Sequence, residues 1–398
     1  MIGVGTVDFG EKEKSYVNKV LDSGLITAGP MLDRFEDEFA SRHGCKYGLM
    51  LNSGTDALRV AVAALKEKYG WSWEDQIIVP ALTFVASSNV ILQNELTPHF
   101  VDVDPKTFLI DPQKIEEAID PVCTKAIMVV HLFGLPCDMG PIMALAKRYG
   151  LKVIEDSCES MGVTYRGKPV GSFGDVACFS TYAAHLITTG VGGLAITNEP
   201  DLNRLMKSFA NHGRDPIFMG FRDSSMVSAR REASQEVIKK RFKFDRIGYS
   251  SRSTQLEAAL GLAQLERLDE IIFQRSNHFT FLASQLHGVE GIQIQDIPED
   301  REHAGMMFPI LLTDNYIDRD AAMLYLERRG IETRPFFDVI GQPAYKDINF
   351  YVKDVPVSER LSARGFYVGC HQSLSTADLW QIVEVVKDCI RFKARVSA

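Results

Sequence analysis

The chain has no paired C-x-x-C motif. Its seven cysteines, at positions 45, 123, 137, 158, 178, 370 and 389, are odd in number and widely spaced. That argues against zinc, iron–sulfur and dithiol chemistry and against a disulfide framework. A basic excess is also missing: 52 acidic side chains against 44 basic ones leave a formal net charge of −8, a poor basis for binding nucleic acid. No apolar run is long and pure enough to span a bilayer. The opening MIGVGTVDFGEKEK lacks the basic start and apolar middle of a secretory signal. Internal repeats, low-complexity tracts and heptad runs are absent too. The expectation is a cytoplasmic protein without a metal site, and with neither nucleic acid nor membrane as partner. One stretch departs from the acidic balance: Arg230, Arg231, Lys239, Lys240, Arg241 and Lys243. It reads either as a solvated surface loop or as a clamp for an anionic substrate.

What is present is a chain of 398 residues, long enough for a large domain and a smaller one. From about 45 to 200 short β-rich apolar runs alternate with helical patterns. The spacing predicts strands at 47–51, 76–79, 99–102, 126–131, 152–155, 177–180 and 193–197. It predicts helices at 57–68, 87–93, 111–118 and 138–148. Such alternation implies an α/β fold with a mainly parallel sheet covered on both faces. Ligands in such sheets sit at the carboxyl ends of the strands. The last two strands are close together, so one of them is expected to run antiparallel. A long helical pattern over 254–277 is read as the link between a large domain (1–255) and a small C-terminal domain that opens with that helix (256–398). The chain then mixes helices and strands and ends in a helix over 375–392, opened by an S-x-x-D signal at Ser375 and Asp378.

Four segments carry candidate chemistry. In Asn52-Ser53-Gly54-Thr55-Asp56 a strand ends in a glycine turn that opens a helix, which is either an ordinary capped start or a phosphate site. In Val153-Ile154-Glu155-Asp156 a carboxylate ends a buried strand, where it needs a cation or hydrogen-bond donors. Asp156 reads as a capping residue or as the partner of a protonated pyridine nitrogen. In the stretch 180–193 a strand end is followed by Tyr182, His185 and a glycine-rich segment. His185 reads as a structural histidine or as a catalyst. Phe84, after the strand ending in Pro80, reads as core or as a stacking platform for a flat ring.

Taken together and in this order, the segments resemble the DegT/DnrJ/EryC1/StrS family of nucleotide-sugar aminotransferases and dehydratases. The resemblance spans nearly the whole chain and includes GLITAGP (24–30), SGTDAL (53–58), PALTFVA (80–86), HLFG (131–134), EDSCESMG (155–162), GSFGD (171–175), NHGR (211–214) and LEAALGLAQLERL (256–268). It implies a fold-type I pyridoxal phosphate enzyme, with a large mainly parallel sheet domain and a smaller C-terminal α+β domain. It implies a homodimer with the cofactor near the subunit interface. By the same resemblance Gly54, Thr55 and Ser180 hold the cofactor phosphate, Phe84 stacks on its ring and Asp156 pairs with the ring nitrogen. Glu159 stands near the ring hydroxyl, where aminotransferases usually carry glutamine. Ser250 stands where the family usually has an asparagine reaching the neighbouring subunit's phosphate. Tyr182, His212, Arg334 and His371 are weaker candidates for substrate contacts, Arg334 because its fork suits a diphosphate.

The main departure is His185, which occupies the position of the lysine that binds the cofactor covalently. Imidazole cannot make that bond, but it moves protons at neutral pH. The resemblance is therefore strongest to the branch that made the same replacement, the 3-dehydratases of nucleotide-linked 4-keto-6-deoxyhexoses on the colitose route. These use pyridoxamine phosphate without a covalent lysine. Glu159-Ser160-Met161-Gly162 and Val368-Gly369-Cys370-His371-Gln372 lean the same way. The segment 213–252 contains no cysteine, so no iron–sulfur cluster and no one-electron chemistry are expected. The expected partners are a nucleotide-linked keto sugar and an amino donor such as glutamate, with His185 as the catalytic base. Two alternatives stand beside this: an aminotransferase with an altered or engineered lysine position, and a non-catalytic vitamin B6-binding protein.

Overall fold

The computed structural model describes residues 1–214, 239–240, 242–348 and 350–391. Its strands, in chain order, are β1 (Tyr47–Leu51), β2 (Gln76–Pro80), β3 (Thr97–Val101), β4 (Thr124–Val130), β5 (Lys152–Asp156), β6 (Thr164–Tyr165), β7 (Lys168–Pro169), β8 (Val176–Ser180), β9 (Gly193–Thr197), β10 (Ile292–Ile294), β11 (Met307–Leu312), β12 (Thr333–Pro335), β13 (Tyr351–Val352) and β14 (Gly365–Gly369). Eight of them form one sheet in the order β1-β9-β8-β5-β4-β2-β3-β13. β9 runs antiparallel to both of its neighbours, and the other pairs are parallel.

Every residue of β2, β8 and β9 is buried. The reason is that helices cover both faces, so neither set of alternating side chains meets water. Ile78, Ile127, Val129, Val153 and Phe179 point into one apolar core. Ile77, Val79, Met128, Ile154 and Cys178 point into the other. A second sheet, β10-β11-β14-β12, is antiparallel throughout and buries a third core under the helices Leu268–Leu286 and Thr376–Arg391. β13, although late in the chain, returns to pair with β3 at the edge of the large sheet.

The helix expected over 254–277 is instead two helices, Gln255–Leu265 and Leu268–Leu286. The break falls at Arg267, whose φ of −108° and ψ of 3° leave helical geometry. Its guanidinium turns to Asp8 and Glu13, while Glu266 meets Lys12 and Arg34. Apolar residues on more than one face follow from this. The first helix packs against both N-terminal helices, Glu11–Ser23 and Pro30–Arg42, rather than lying on a single surface. The C-terminal helix runs Thr376–Arg391, with Ser375 and Asp378 hydrogen-bonded across its start. Of the basic stretch, Arg230, Arg231 and Arg241 lie outside the described residues. Among the described residues no helix is long and apolar enough to cross a membrane.

Candidate active site

The carboxyl ends of β1, β2, β4, β5 and β8 open onto a cavity of about 440 Å³. Gly54, Thr55, Phe84, Asp156, Glu159, Ser180, Tyr182 and His185 all line it. The described residues lining it include no lysine and no arginine. A larger cleft, about 790 Å³, opens beside the helix Leu268–Leu286, and three of the four aspartates that line it are engaged in local hydrogen bonds. Asp104 holds its own turn, Asp111 caps a helix and Asp138 accepts from Tyr165.

One wall of the cavity is a helix N-terminus. Ser53 caps the helix Gly54–Tyr69, its Oγ accepting from the Asp56 N–H at 3.0 Å. The first intrahelical bond runs from Ala57 N–H to the Ser53 carbonyl. The Gly54 and Thr55 amides therefore have no partner within the helix, and they form an anion cradle. The backbone approach needs glycine at two points. A Cβ on Gly54 would lie 2.8 Å from both Cys158 Sγ and Ser180 Cβ, and one on Gly193 would lie 2.4 Å from Gly54 N. Ser180 Oγ accepts from the Tyr182 N–H at 3.3 Å, which leaves its own proton to donate.

Asp156, at the end of β5, is only 5% exposed. Oδ2 accepts from the Ser87 hydroxyl at 2.8 Å and Oδ1 from the Cys158 N–H at 3.2 Å. Burial pushes its carboxyl above the usual range, and those two bonds only partly offset this. A carboxylate so placed gains from a cation in the cavity. Phe84, by contrast, is a large aromatic left 55% exposed on the cavity wall, edge-on to Phe337 at 5.8 Å. On the far side Glu159 Oε2 accepts from the Phe133 N–H at 2.7 Å. Phe133 presents that N–H from a left-handed conformation, φ 62°, a strained geometry for a side chain of its size. Burial raises the Glu159 carboxyl to about 7.

His185 sits in the turn after β8, its N–H bonded to the Tyr182 carbonyl at 2.9 Å. Its Nδ1 lies 2.6 Å from the Cys158 carbonyl. A carbonyl only accepts, so Nδ1 carries the hydrogen and Nε2 keeps its lone pair. Burial lowers the imidazole to about 4, with a further push from the positive charge of Arg275. At neutral pH the ring is an uncharged base.

The other residues singled out by sequence lie outside the cavity lining. Ser250 and His212 lie on two segments joined by the bridge between Asn211 and Ser250, and both are hydrogen-bonded to Arg252. Arg334 is on β12, paired with Glu332 and one strand removed from the cavity-lining Tyr367. His371 is buried, with Nδ1 unpartnered and its carbonyl accepting from His278. Sequence reasoning missed Ser87, Tyr367, Phe337 and Met306. Ser87 falls one helical turn after Phe84, a spacing that puts it on the same side of the helix. The other three come from distant chain and carry no local signal.

A mixed, mainly parallel sheet with a helix-borne anion cradle, a ring-sized aromatic wall and a buried carboxylate at a strand end defines a vitamin B6-dependent aminotransferase class of enzyme. The chain belongs to the DegT/DnrJ/EryC1/StrS aminotransferase family, whose model matches residues 7–387. It is 36% identical over 379 residues to GDP-perosamine synthase of Escherichia coli O157:H7, covering 95% of each chain. It is 34% identical over 386 residues to GDP-perosamine synthase of Caulobacter vibrioides, covering 96% of each. Among solved structures it resembles E. coli GDP-4-keto-6-deoxy-D-mannose-3-dehydratase with bound hydrated PLP. The TM-score is 0.86 at 26% identity, over 97% of this chain and 99% of that one.

Proposed function

We propose that this enzyme is a pyridoxamine phosphate-dependent 3-dehydratase acting on a nucleotide-linked 4-keto-6-deoxyhexose. One observation carries the reading: the cavity presents the imidazole of His185, with Nδ1 on the Cys158 carbonyl, and no lysine among its described lining residues. When bound, the cofactor supplies an amine for the sugar ketone and a ring that withdraws electrons. Gly54, Thr55 and Ser180 would bind its phosphate, and Phe84 would cover one face of its ring. Asp156 would hold the proton on the ring nitrogen, and that cation would in turn relieve a carboxylate that burial disfavours. His185 would move protons at Nε2, accepting one at the reacting carbon and returning one to the departing hydroxyl. A lysine amine here would recapture the cofactor and favour amination. Glutamate as the recharging donor, and a homodimer, belong to the same proposal.

A second reading is favoured by the names of the two GDP-perosamine synthases reported above: an aminotransferase with an altered or engineered lysine position. Product mass separates the two. The pyridoxamine phosphate-loaded protein is incubated with a panel of nucleotide-linked 4-keto-6-deoxy sugars and glutamate. A product one oxygen lighter is expected. A product with an amine in place of the ketone would establish the second reading, and no product from any sugar would sink both.

Phe84 tests the cofactor's placement. Phe84→Ala is expected to weaken pyridoxamine phosphate binding about two- to tenfold, the equivalent of the roughly 0.5–1.5 kcal/mol of an aromatic pair. Fluorescence titration reads it, and unchanged affinity would remove the stacking role.

A further inference from the structure

Among the described residues, the largest side chain fully excluded from solvent is a cation, Arg275, in the helix Leu268–Leu286. Its hydrogen-bond partners carry no negative charge. Nε donates to Gln372 Oε1 at 2.9 Å, Nη1 to the Gly305 and Met306 carbonyls at 3.3 and 3.2 Å, and Nη2 to the His185 carbonyl at 3.4 Å. The fork thus joins three distant segments, and two of them, at His185 and Met306, line the cavity. The contact is close: a Cβ on Gly305 would lie 2.5 Å from the Arg275 carbonyl oxygen. A guanidinium buried without a counter-charge costs far more than an apolar side chain of similar volume. Filling space therefore does not explain it.

We propose that Arg275 is a positioning residue for the His185 proton carrier, holding its turn by the backbone carbonyl and keeping the imidazole uncharged through its own fixed positive charge. The proposal rests on the reading of His185 given above. The groups around the pair agree with it. On the Arg275 side lie His278, His371 and the Cys370 thiol, with Asp378 beyond His371. His278 and His371 are both lowered, first by burial and then by Arg275 among other charges, His371 to about 4. On the His185 side lie the Cys158 carbonyl and the Tyr182 ring, with Asp156 and Glu159 sharing the cavity. Arg275 is the cation that acts on all three of these imidazoles.

The test uses the full chain without cofactor, labelled with 15N-histidine, and follows the imidazole nitrogens against pH. The His185 signals are identified by their loss in His185→Asn. Gln372→Glu is nearly isosteric and places a carboxylate against Nε, which neutralises the guanidinium's field without removing its packing. The His185 midpoint is expected to rise by about one pH unit in that variant, and by at least as much in Arg275→Gln. Arg275→Lys, which keeps the charge, is expected to restore the low midpoint. If Arg275→Gln does not fold, Gln372→Glu alone decides. An unmoved His185 midpoint in a folded Gln372→Glu protein overturns the proposal. The product assay is independent of this titration. A shifted midpoint without dehydration would sink the dehydratase reading and leave Arg275 as a positioning residue. Dehydration with no shift would do the reverse.

Discussion

His185→Asn is expected to lose dehydration by about 10²–10⁴-fold, the usual weight of a positioned acid–base group, while cofactor affinity stays near that of the parent. The geometry separates the two effects. The side chain's Nδ1–H is occupied by the Cys158 carbonyl, a bond an asparagine amide can replace. Nε2, the end that carries protons, has no counterpart in asparagine. The phosphate cradle and Asp156 do not depend on His185 for any hydrogen bond. Cofactor titration and product formation, measured on one preparation, read the two quantities. Turnover surviving in the variant would remove His185 from the reaction. The complementary change, His185→Lys, is expected to yield a yellow protein that keeps pyridoxal phosphate through dialysis. Borohydride should then fix the cofactor to residue 185, as an added mass on the peptide that contains it. No added mass would mean that the turn after β8 does not aim the side chain at the cofactor.

The second large effect concerns stability. Glu155 precedes Asp156 and is fully buried, and each of its oxygens takes two donors. Oε2 accepts from Gly171 N–H at 2.8 Å and meets His131 Nε2 at 3.2 Å; Oε1 accepts from Phe173 N–H at 2.8 Å and Gly174 N–H at 2.6 Å. His131 Nδ1 accepts from the Cys137 N–H at 2.9 Å, so Nε2 holds the proton it gives to Glu155. Glu155→Gln would set an amide NH₂ against two of these donors. We expect a loss of about 3–5 kcal/mol, the scale for breaking a buried charged network, read from the denaturant midpoint. Burial alone would raise the Glu155 carboxyl, but the bonds from His131, Gly174 and Gly171 hold it below its usual range. A depressed carboxylate contributes stability that is present above its unfolded value and is lost as pH falls through its folded one. The parent should therefore weaken in acid, and the variant should show a flatter acid limb. Equal midpoints at neutral pH would contradict the network's role.

Local chemistry was legible in the residues themselves. Runs such as 47–51 and 193–197 are strands because every second side chain must leave water, and in a sheet covered on both faces so must the others. Ser53-Gly54-Thr55 opens a helix because a hydroxyl can cap it and glycine alone allows the backbone approach. That an imidazole at 185 cannot make the covalent bond a lysine amine makes is a statement about bonding that needs no coordinates. These features depend on near neighbours in the chain, and a linear reading reaches them.

What the sequence could not decide are the interactions across long separations. The helical pattern over 254–277 divides because Arg267 is drawn to Asp8 and Glu13, more than 250 residues away. Glu155 reads as one more acidic residue until the 171–174 turn folds three amides onto it. The tautomer of His185 is set by the carbonyl of Cys158, 27 residues earlier, and its own backbone carbonyl is held by Arg275, 90 residues later. Arg275 itself is an ordinary helical arginine by sequence. Only packing removes its water and leaves it without a counter-charge. Hydrogen-bond direction, burial and local field follow from which segments meet, and those meetings belong to the tertiary structure.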